Sequence, residues 1–288
     1  MKEKELKSII KRVIVGILLC VLVFSVAKIV TYFEQQAAAD QMQNDIINEV
    51  VTPNDSASSA PVDVETDENG EEGPSAESSD TENAAPAISQ APPAPVVTMP
   101  AGPDPESIDV DFATLTAKYP DVVGYIYGAN TKIQYPIAYT SSSNDYYLNR
   151  DLDGNLNLNG SIFIEHLNSP DFSDQNTILY GHHMKSGLMF AGLVKYKDPS
   201  YYSAHPYFYI YTPTQDYKLN LYAGFVCAHD DEVFATSLTQ SQLQAMAAKS
   251  TFQSNISTPT GNVVTLCTCS YEFSNARYVI VGALEPIY

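Results

Sequence analysis

The sequence predicts a mainly β domain carried behind a membrane-crossing helix, and three observations lead there. Eight short β-rich runs separated by polar turns fill the C-terminal 180 or so residues. Nineteen of the 20 tyrosines lie beyond residue 107, and no aromatic residue stands between Phe33 and Phe112. Residues 13–33 are apolar apart from Lys28 and a few small or polar side chains. The 288 residues carry a net charge of −19, unevenly spread: +4 over 1–33, −18 over 34–117 and −5 over 118–288. So acidic a chain has no electrostatic footprint for nucleic acid. Four cysteines are too few for a disulfide framework.

The first element is the apolar run at 13–33, about the 20 residues that cross a bilayer as a helix. Lys28 lies near its end, where its stem snorkels to the headgroups. The five basic residues ahead of it (Lys2, Lys4, Lys7, Lys11, Arg12) place residues 1–12 in the cytoplasm as a basic tail and everything after 33 outside. A cleaved signal peptide is the competing reading, since Ser25-Val26-Ala27 loosely resembles a cleavage site; the length of the run favours a retained single-pass anchor. Residues 34–106 follow, rich in Ala, Pro, Ser, Glu and Asp. Such a segment buries too little apolar surface to offset its ordering entropy, so it is expected to be a disordered acidic linker that lifts the domain away from the membrane. The folded domain is expected over 107–288.

Within that domain, 108–120 reads as a short helix, with Ile108, Phe112 and Leu115 at helical spacing and Pro120 ending it. The eight strand-like runs are 122–128, 132–140, 160–166, 176–182, 207–212, 217–229, 262–269 and 277–285. Eight such strands suit a closed barrel or a sandwich. A barrel that spans a membrane is excluded, because its strands need outward apolar bands of even length. Two helices are expected between strands, at 187–196 and 237–249; the second has Leu238, Leu243 and Met246 as its apolar stripe.

Chemistry concentrates at two places. Cys269 ends one strand and Arg277 opens the next after a seven-residue loop, so an antiparallel pairing puts both at one end of a hairpin. A guanidinium beside a thiol favours its charged form and stabilises a developing oxyanion; the plain alternative is an inert buried cysteine near a surface arginine. His182 and His183 follow another strand, and imidazole is the usual proton shuttle near neutral pH. They also read as solvated loop histidines.

Together these segments resemble the sortase family of cysteine transpeptidases, most closely class B. The nucleophile motif Thr-Leu-x-Thr-Cys stands as Thr265-Leu266-Cys267-Thr268-Cys269, and Arg277 matches the arginine of the following strand. Tyr180-Gly181-His182 matches the strand end that carries the family's histidine. Asn144-Asp145-Tyr146-Tyr147-Leu148-Asn149, GSIFIEHLN, AHPYFYIYTP and the helix at 237–249 are also class B-like. The resemblance covers roughly residues 108–288. It implies a closed eight-stranded β-barrel and a catalytic set of Cys269, His182 and Arg277. It further implies substrate contacts from Asn144, Thr268, Leu266 and Tyr180, with no cofactor and no metal. The activity implied is cleavage of a C-terminal sorting signal of secreted proteins after a Thr, through a thioester on Cys269. Transfer to an amine of a cell-wall precursor follows. A pilin lysine is the alternative acceptor.

The chain departs from the family pattern in three places. Gly124-Tyr125 replaces a usual Gly-Trp, and Glu165-His166 stands where an Asp and an aromatic are common. Cys267 fills the free position of the motif, two residues from Cys269 and on the same face of a strand; it is expected to remain a thiol. Other readings of the residues are a zinc site from Cys267, Cys269, His182 and His183, whose spacing is atypical, a thiol protease, and a non-catalytic adhesion module whose tyrosines contact carbohydrate. His205, His229 and the Asp230-Asp231-Glu232 turn read as structural or solvated.

Overall fold

The computed structural model describes residues 3–53 and 107–287. In chain order these form α1 (Glu3–Val50), β1 (Val51–Pro53), β2 (Ile108–Val110), α2 (Phe112–Lys118), β3 (Val122–Tyr127), β4 (Gln134–Ala138), α3 (Asp145–Leu148), β5 (Ile162–Ile164) and β6 (Asn176–Tyr180). A 3-10 helix (Phe190–Lys197), α4 (Pro199–Ala204), β7 (Tyr207–Tyr211), β8 (Asp216–Ala228), a 3-10 turn (Glu232–Phe234), α5 (Gln240–Ala248), β9 (Val263–Cys269) and β10 (Ala276–Ile287) complete the chain. Each of the eight expected runs holds a strand. The strands close into one barrel in the order β10-β8-β7-β3-β4-β5-β6-β9. Neighbours are antiparallel except β4 with β5 and β6 with β9, which run parallel.

The barrel is filled by side chains from alternate strand positions, among them Ile126, Ile137, Leu179, Phe208, Leu266 and Ile280. A second apolar layer lies outside β8, β9 and β10, where Phe225, Val263, Cys267, Val279 and Val281 pack under Leu243 and Met246 of α5. That helix starts at a capping box, with Thr239 and Gln242 each satisfying the other's backbone N–H. The strand that carries the nucleophile motif is therefore covered on both faces.

Three details differ from the sequence-based expectation. The helix expected at 187–196 is a 3-10 helix, because its buried residues Phe190, Leu193 and Tyr196 recur every three positions, the 3-10 period. The helix expected from 108 begins only at Phe112, with Asp111 capping it and Ile108–Val110 taken into a strand. Of the linker expected from residue 34, residues 34–53 are helix and strand. The Ala- and Gln-rich stretch continues α1 to Val50, since Ala and Gln favour helix and Met42, Ile46 and Val50 fall four apart on the face that packs against Leu115, Tyr119 and Tyr211. Residues 51–53 then pair antiparallel with 108–110, Pro53 opposite Ile108. The rest of the expected linker, 54–106, lies outside the described residues.

One buried polar joint ties the two strands on which the site is built. Asn176 of β6 is fully buried; its side-chain amide donates to the carbonyls of Val233 and Ala235, and its Oδ1 accepts from Thr265 Oγ1 at 2.8 Å. Thr265 opens the Thr-Leu-x-Thr-Cys motif, so its part is to lock β9 against β6. Thr265→Val leaves the Asn176 oxygen buried and unpaired, at a cost of about 1–3 kcal/mol, or roughly 2–12 °C of melting temperature for a domain of this size. Thermal denaturation followed by circular dichroism checks this, and an unchanged midpoint would rule the joint out as a source of stability.

Candidate active site

Parallel pairing of β6 with β9 sets Tyr180 beside Cys267, and the Gly181 N–H donates to the Cys267 carbonyl at 3.1 Å. The two residues after Gly181 are His182 and His183, so strand register alone delivers both imidazoles to the end of β9 that carries Cys269. On the other side β10 runs antiparallel, with Arg277 directly opposite Cys269. Paired residues in adjacent strands point to the same face, and so do residues two apart in one strand. Cys269, Cys267 and Arg277 therefore share the outer face of the barrel with Tyr180. Cys227 of β8, opposite Arg277 on its far side, completes the row.

Cys269 is half-buried at the rim, whereas Cys227 and Cys267 are buried; all four cysteines of the chain are free thiols. Burial pushes the Cys227 thiol up to about 12 and the Cys267 thiol further still, with the Arg277 charge opposing the rise in both. Neither forms a thiolate near neutral pH, which leaves Cys269 as the accessible sulfur of the three. The Arg277 guanidinium is half-buried and has no carboxylate partner among the described residues. One Nη donates to the Ala276 carbonyl at 3.1 Å, and the remaining N–H groups are uncommitted.

The two histidines are held differently. His182 Nε2 lies 2.7 Å from the Leu148 carbonyl and His183 Nδ1 lies 2.9 Å from the Cys269 carbonyl. A carbonyl only accepts, so each of these nitrogens carries a proton. This leaves Nδ1 of His182 and Nε2 of His183 uncommitted, and His183 also packs its ring on exposed Tyr271, 5.3 Å between centroids. The loop from Ser270 to Asn275 is pinned by Lys197, which bonds Ser270 Oγ at 3.0 Å and pairs with Glu272. Hydrogen bonds from Lys197 and Ser270 hold the Glu272 carboxyl down at about 2.

Beneath the histidine loop lies a buried carboxylate. Glu165 Oε2 accepts from Asn144 Nδ2 at 2.7 Å and from the Tyr180 hydroxyl at 3.0 Å, and its Oε1 stands 2.6 Å from His166 Nδ1. Asn144 returns a contact through Oδ1, which accepts from the His166 N–H at 2.9 Å. Asn144, Glu165 and Tyr180 thus form a chain from the start of α3 to β6, two residues short of His182. Burial raises the Tyr180 pKa, with the Glu165 charge adding to it, so the phenol stays protonated and donates.

The site residues expected from sequence divide accordingly. Cys269, Arg277, Tyr180 and Asn144 gather at one end of the barrel, and His182 reaches the same end from β6. Leu266 does not: it is fully buried in the barrel interior, because it alternates with Cys267 and so points inward. Thr268 is buried too, paired with the core residue Tyr278 and with its hydroxyl lacking a partner. Both support the strand from below, and the expectation that Leu266 meets substrate is corrected. Sequence reasoning named Glu165 and His183 without giving either a place among the site residues, and it missed the Leu148 carbonyl. An acidic residue inside the apolar run 160–166 was the available sign of the first.

Gly160 sets the Leu148 carbonyl. Its φ of 59° lies in the left-handed region, and a Cβ there would stand 2.4 Å from the Leu148 oxygen. Gly160→Ala is expected to displace that carbonyl and release His182, lowering turnover by about 10²-fold with little change in KM. Steady-state kinetics measures it, and normal kcat would show that the Leu148 contact does not orient the ring.

A closed β-barrel whose rim sets a free thiol opposite an unpaired guanidinium, next to two strand-end imidazoles, defines a cysteine-dependent acyl-transfer enzyme. A sortase domain model matches residues 130–285. Sortase B of Listeria monocytogenes is 35% identical over 172 residues, covering 57% of this chain and 70% of that protein. Sortase B of Staphylococcus aureus is 28% identical over 190 residues, 63% and 78% of the two chains. The solved S. aureus sortase B–substrate complex superposes with a TM-score of 0.57 at 27% identity, covering 62% of this chain and 85% of that one. The chain belongs to the sortase family, and its relatives there are sortase B proteins; it is a cysteine transpeptidase.

Proposed function

We propose that Cys269, His182 and Arg277 carry out transpeptidation on the sorting signal of a secreted protein at the outer face of the membrane. The observation that carries this reading is the register that sets Arg277 opposite Cys269 on one face. The signal lies extended in a groove beside the end of β9, where Cys269 alone of the strand is part-exposed. The Cys269 sulfur attacks the carbonyl carbon of the signal's Thr, and Arg277 donates to the oxyanion that forms. Collapse breaks the peptide bond and leaves a thioester on Cys269, while the departing amine takes a proton from His182. An amine of a cell-wall precursor then attacks the thioester, His182 recovers the proton, and the thiolate leaves. Asn144 and Tyr180, joined through Glu165, hold the floor of the site under the histidine loop. Thr268 supports Cys269 from the barrel side.

In this reading residues 13–33 are a retained single-pass anchor with residues 1–12 in the cytoplasm. Three observations support it: all the large apolar side chains of 13–33 are exposed, the 18-residue window there has a mean hydropathy of 2.9, and the basic residues precede it. Residues 54–106 are proposed to be an acidic, Pro/Ala/Ser-rich disordered linker, on composition.

The test is a peptide assay on the full chain in detergent, with a fluorogenic C-terminal sorting signal, a soluble amine acceptor and mass spectrometry of the acyl-enzyme. The acyl adduct is expected on Cys269. Cys267→Ser is expected to keep most of the activity, because Cys267 is buried and stays a thiol. An adduct on Cys267 or Cys227, or an inactive Cys267→Ser of normal stability, would overturn the assignment.

A further inference from the structure

We infer that the barrel docks on the outer leaflet through the loop between His183 and Leu188, with Lys132 and Lys185 set against anionic headgroup phosphates. This rests on the proposed reading of α1 as a retained anchor. Because α1 is a single helix from Glu3 to Val50, the apolar run and the residues beyond it share one axis. At 1.5 Å per residue the run at 13–33 is about 31 Å long, matching a hydrocarbon core of about 30 Å. Gln36 lies three residues further, about 4.5 Å, inside a headgroup layer of roughly 5–8 Å. Its Nε2 donates to Ser186 Oγ at 2.9 Å. Ser186 is therefore held at headgroup depth, three residues from His183.

The order of the remaining contacts fixes which side of the barrel faces the bilayer. Moving outward along α1, Gln43 Nε2 donates to the Gln134 carbonyl at 3.3 Å, and Glu49 pairs with Lys118 of α2 at 2.8 Å. The Asp111 N–H closes the series on the Val50 carbonyl at 2.8 Å, next to the β1–β2 pair. The barrel is thus gripped at both ends of a 15-residue stretch of helix, its histidine loop inward and α2 outward. Pro53 opposite Ile108 means that the chain joining them starts and finishes at one place. In this reading α1, and not the linker, sets the height of the domain above the membrane.

Charge points the same way. Most basic side chains of the domain are already engaged: Lys118, Lys197 and Lys249 with carboxylates, and Arg150 and Lys195 over tyrosine rings. Lys132 and Lys185 are exposed, with neither kind of partner among the described residues. They belong to one patch, since the Lys132 ammonium lies beside Gly187, 3.9 Å from where a Cβ would stand. Two uncommitted lysines at the one loop that α1 holds in the headgroup layer fit phosphates of an anionic leaflet.

The experiment is hydrogen–deuterium exchange on the full chain, in phosphatidylglycerol nanodiscs and in maltoside micelles, reading the peptides that cover 183–189. Exchange there is expected to be at least about tenfold slower in the discs, with β8 peptides unchanged, and Lys132→Glu/Lys185→Glu should remove the difference. Equal exchange in discs and micelles, or protection that survives the double charge reversal, would overturn the docking. A chain that fails to co-purify with the discs, or is recovered cleaved after Ala27, would instead overturn the anchor and the docking with it.

Discussion

Cys269→Ala is expected to lower transfer by at least about 10³-fold while leaving the melting temperature within a degree or so of the parent, because in the proposed mechanism the residue's work is covalent, and its side chain is small and sits at the rim. Neighbouring sulfurs cannot take over. Cys267 and Cys227 lie on the same face but are buried, and both are held as thiols by burial. His182→Ala is expected to fall to a similar level, since in the proposed mechanism His182 moves the proton. His183, the adjacent candidate, spends its Nδ1 proton on the Cys269 carbonyl. The measurement is single-turnover release of the leaving peptide, with circular dichroism as the check on folding. Release at the parent rate by Cys269→Ala would remove the thioester from the account, and by His182→Ala would pass the proton to His183.

Arg277→Lys is the second large effect, expected at about 10²–10³-fold in kcat/KM, the range for loss of an oxyanion donor. Charge is conserved in this variant, so what it tests is geometry. The guanidinium anchors one Nη on the Ala276 carbonyl and keeps a planar set of donors for the groove. An ammonium that makes the same anchor has no second planar arm to offer. The parent arginine also has no carboxylate partner among the described residues, so its charge is not already neutralised. Near-normal turnover by Arg277→Lys would assign Arg277 a structural part, and a loss confined to KM would assign it to positioning the signal's backbone rather than to the oxyanion.

Legibility varied with how local each signal was. The eight strands were readable because β-rich runs and polar turns alternate along the chain, and Cys269 and Arg277 were readable because a hairpin brings near neighbours in sequence together. The direction in which the motif residues point was not. Alternation reveals the inside of a strand only when one face is wet, and β9 is buried on both, by the barrel core and by the layer under α5. Leu266 and Thr268 were accordingly placed with the substrate when they face the interior. Glu165 escaped for a different reason: its partners Asn144 and Tyr180 are 21 and 15 positions away, and only the closing of β5 onto β6 brings them to it.

Legible without coordinates were a β-rich domain, a cysteine with an arginine across a hairpin and an apolar segment long enough for a bilayer, while the closed barrel and the transpeptidase class were what the resemblance to the sortase family implied. Those properties depend on residue type and near spacing, which a chain displays without folding. Which histidine faces which carbonyl, which sulfur is exposed, and how far α1 runs before meeting the barrel came only with the folded coordinates. Each is a matter of packing between segments distant in sequence, where the burial of one surface decides the exposure of another.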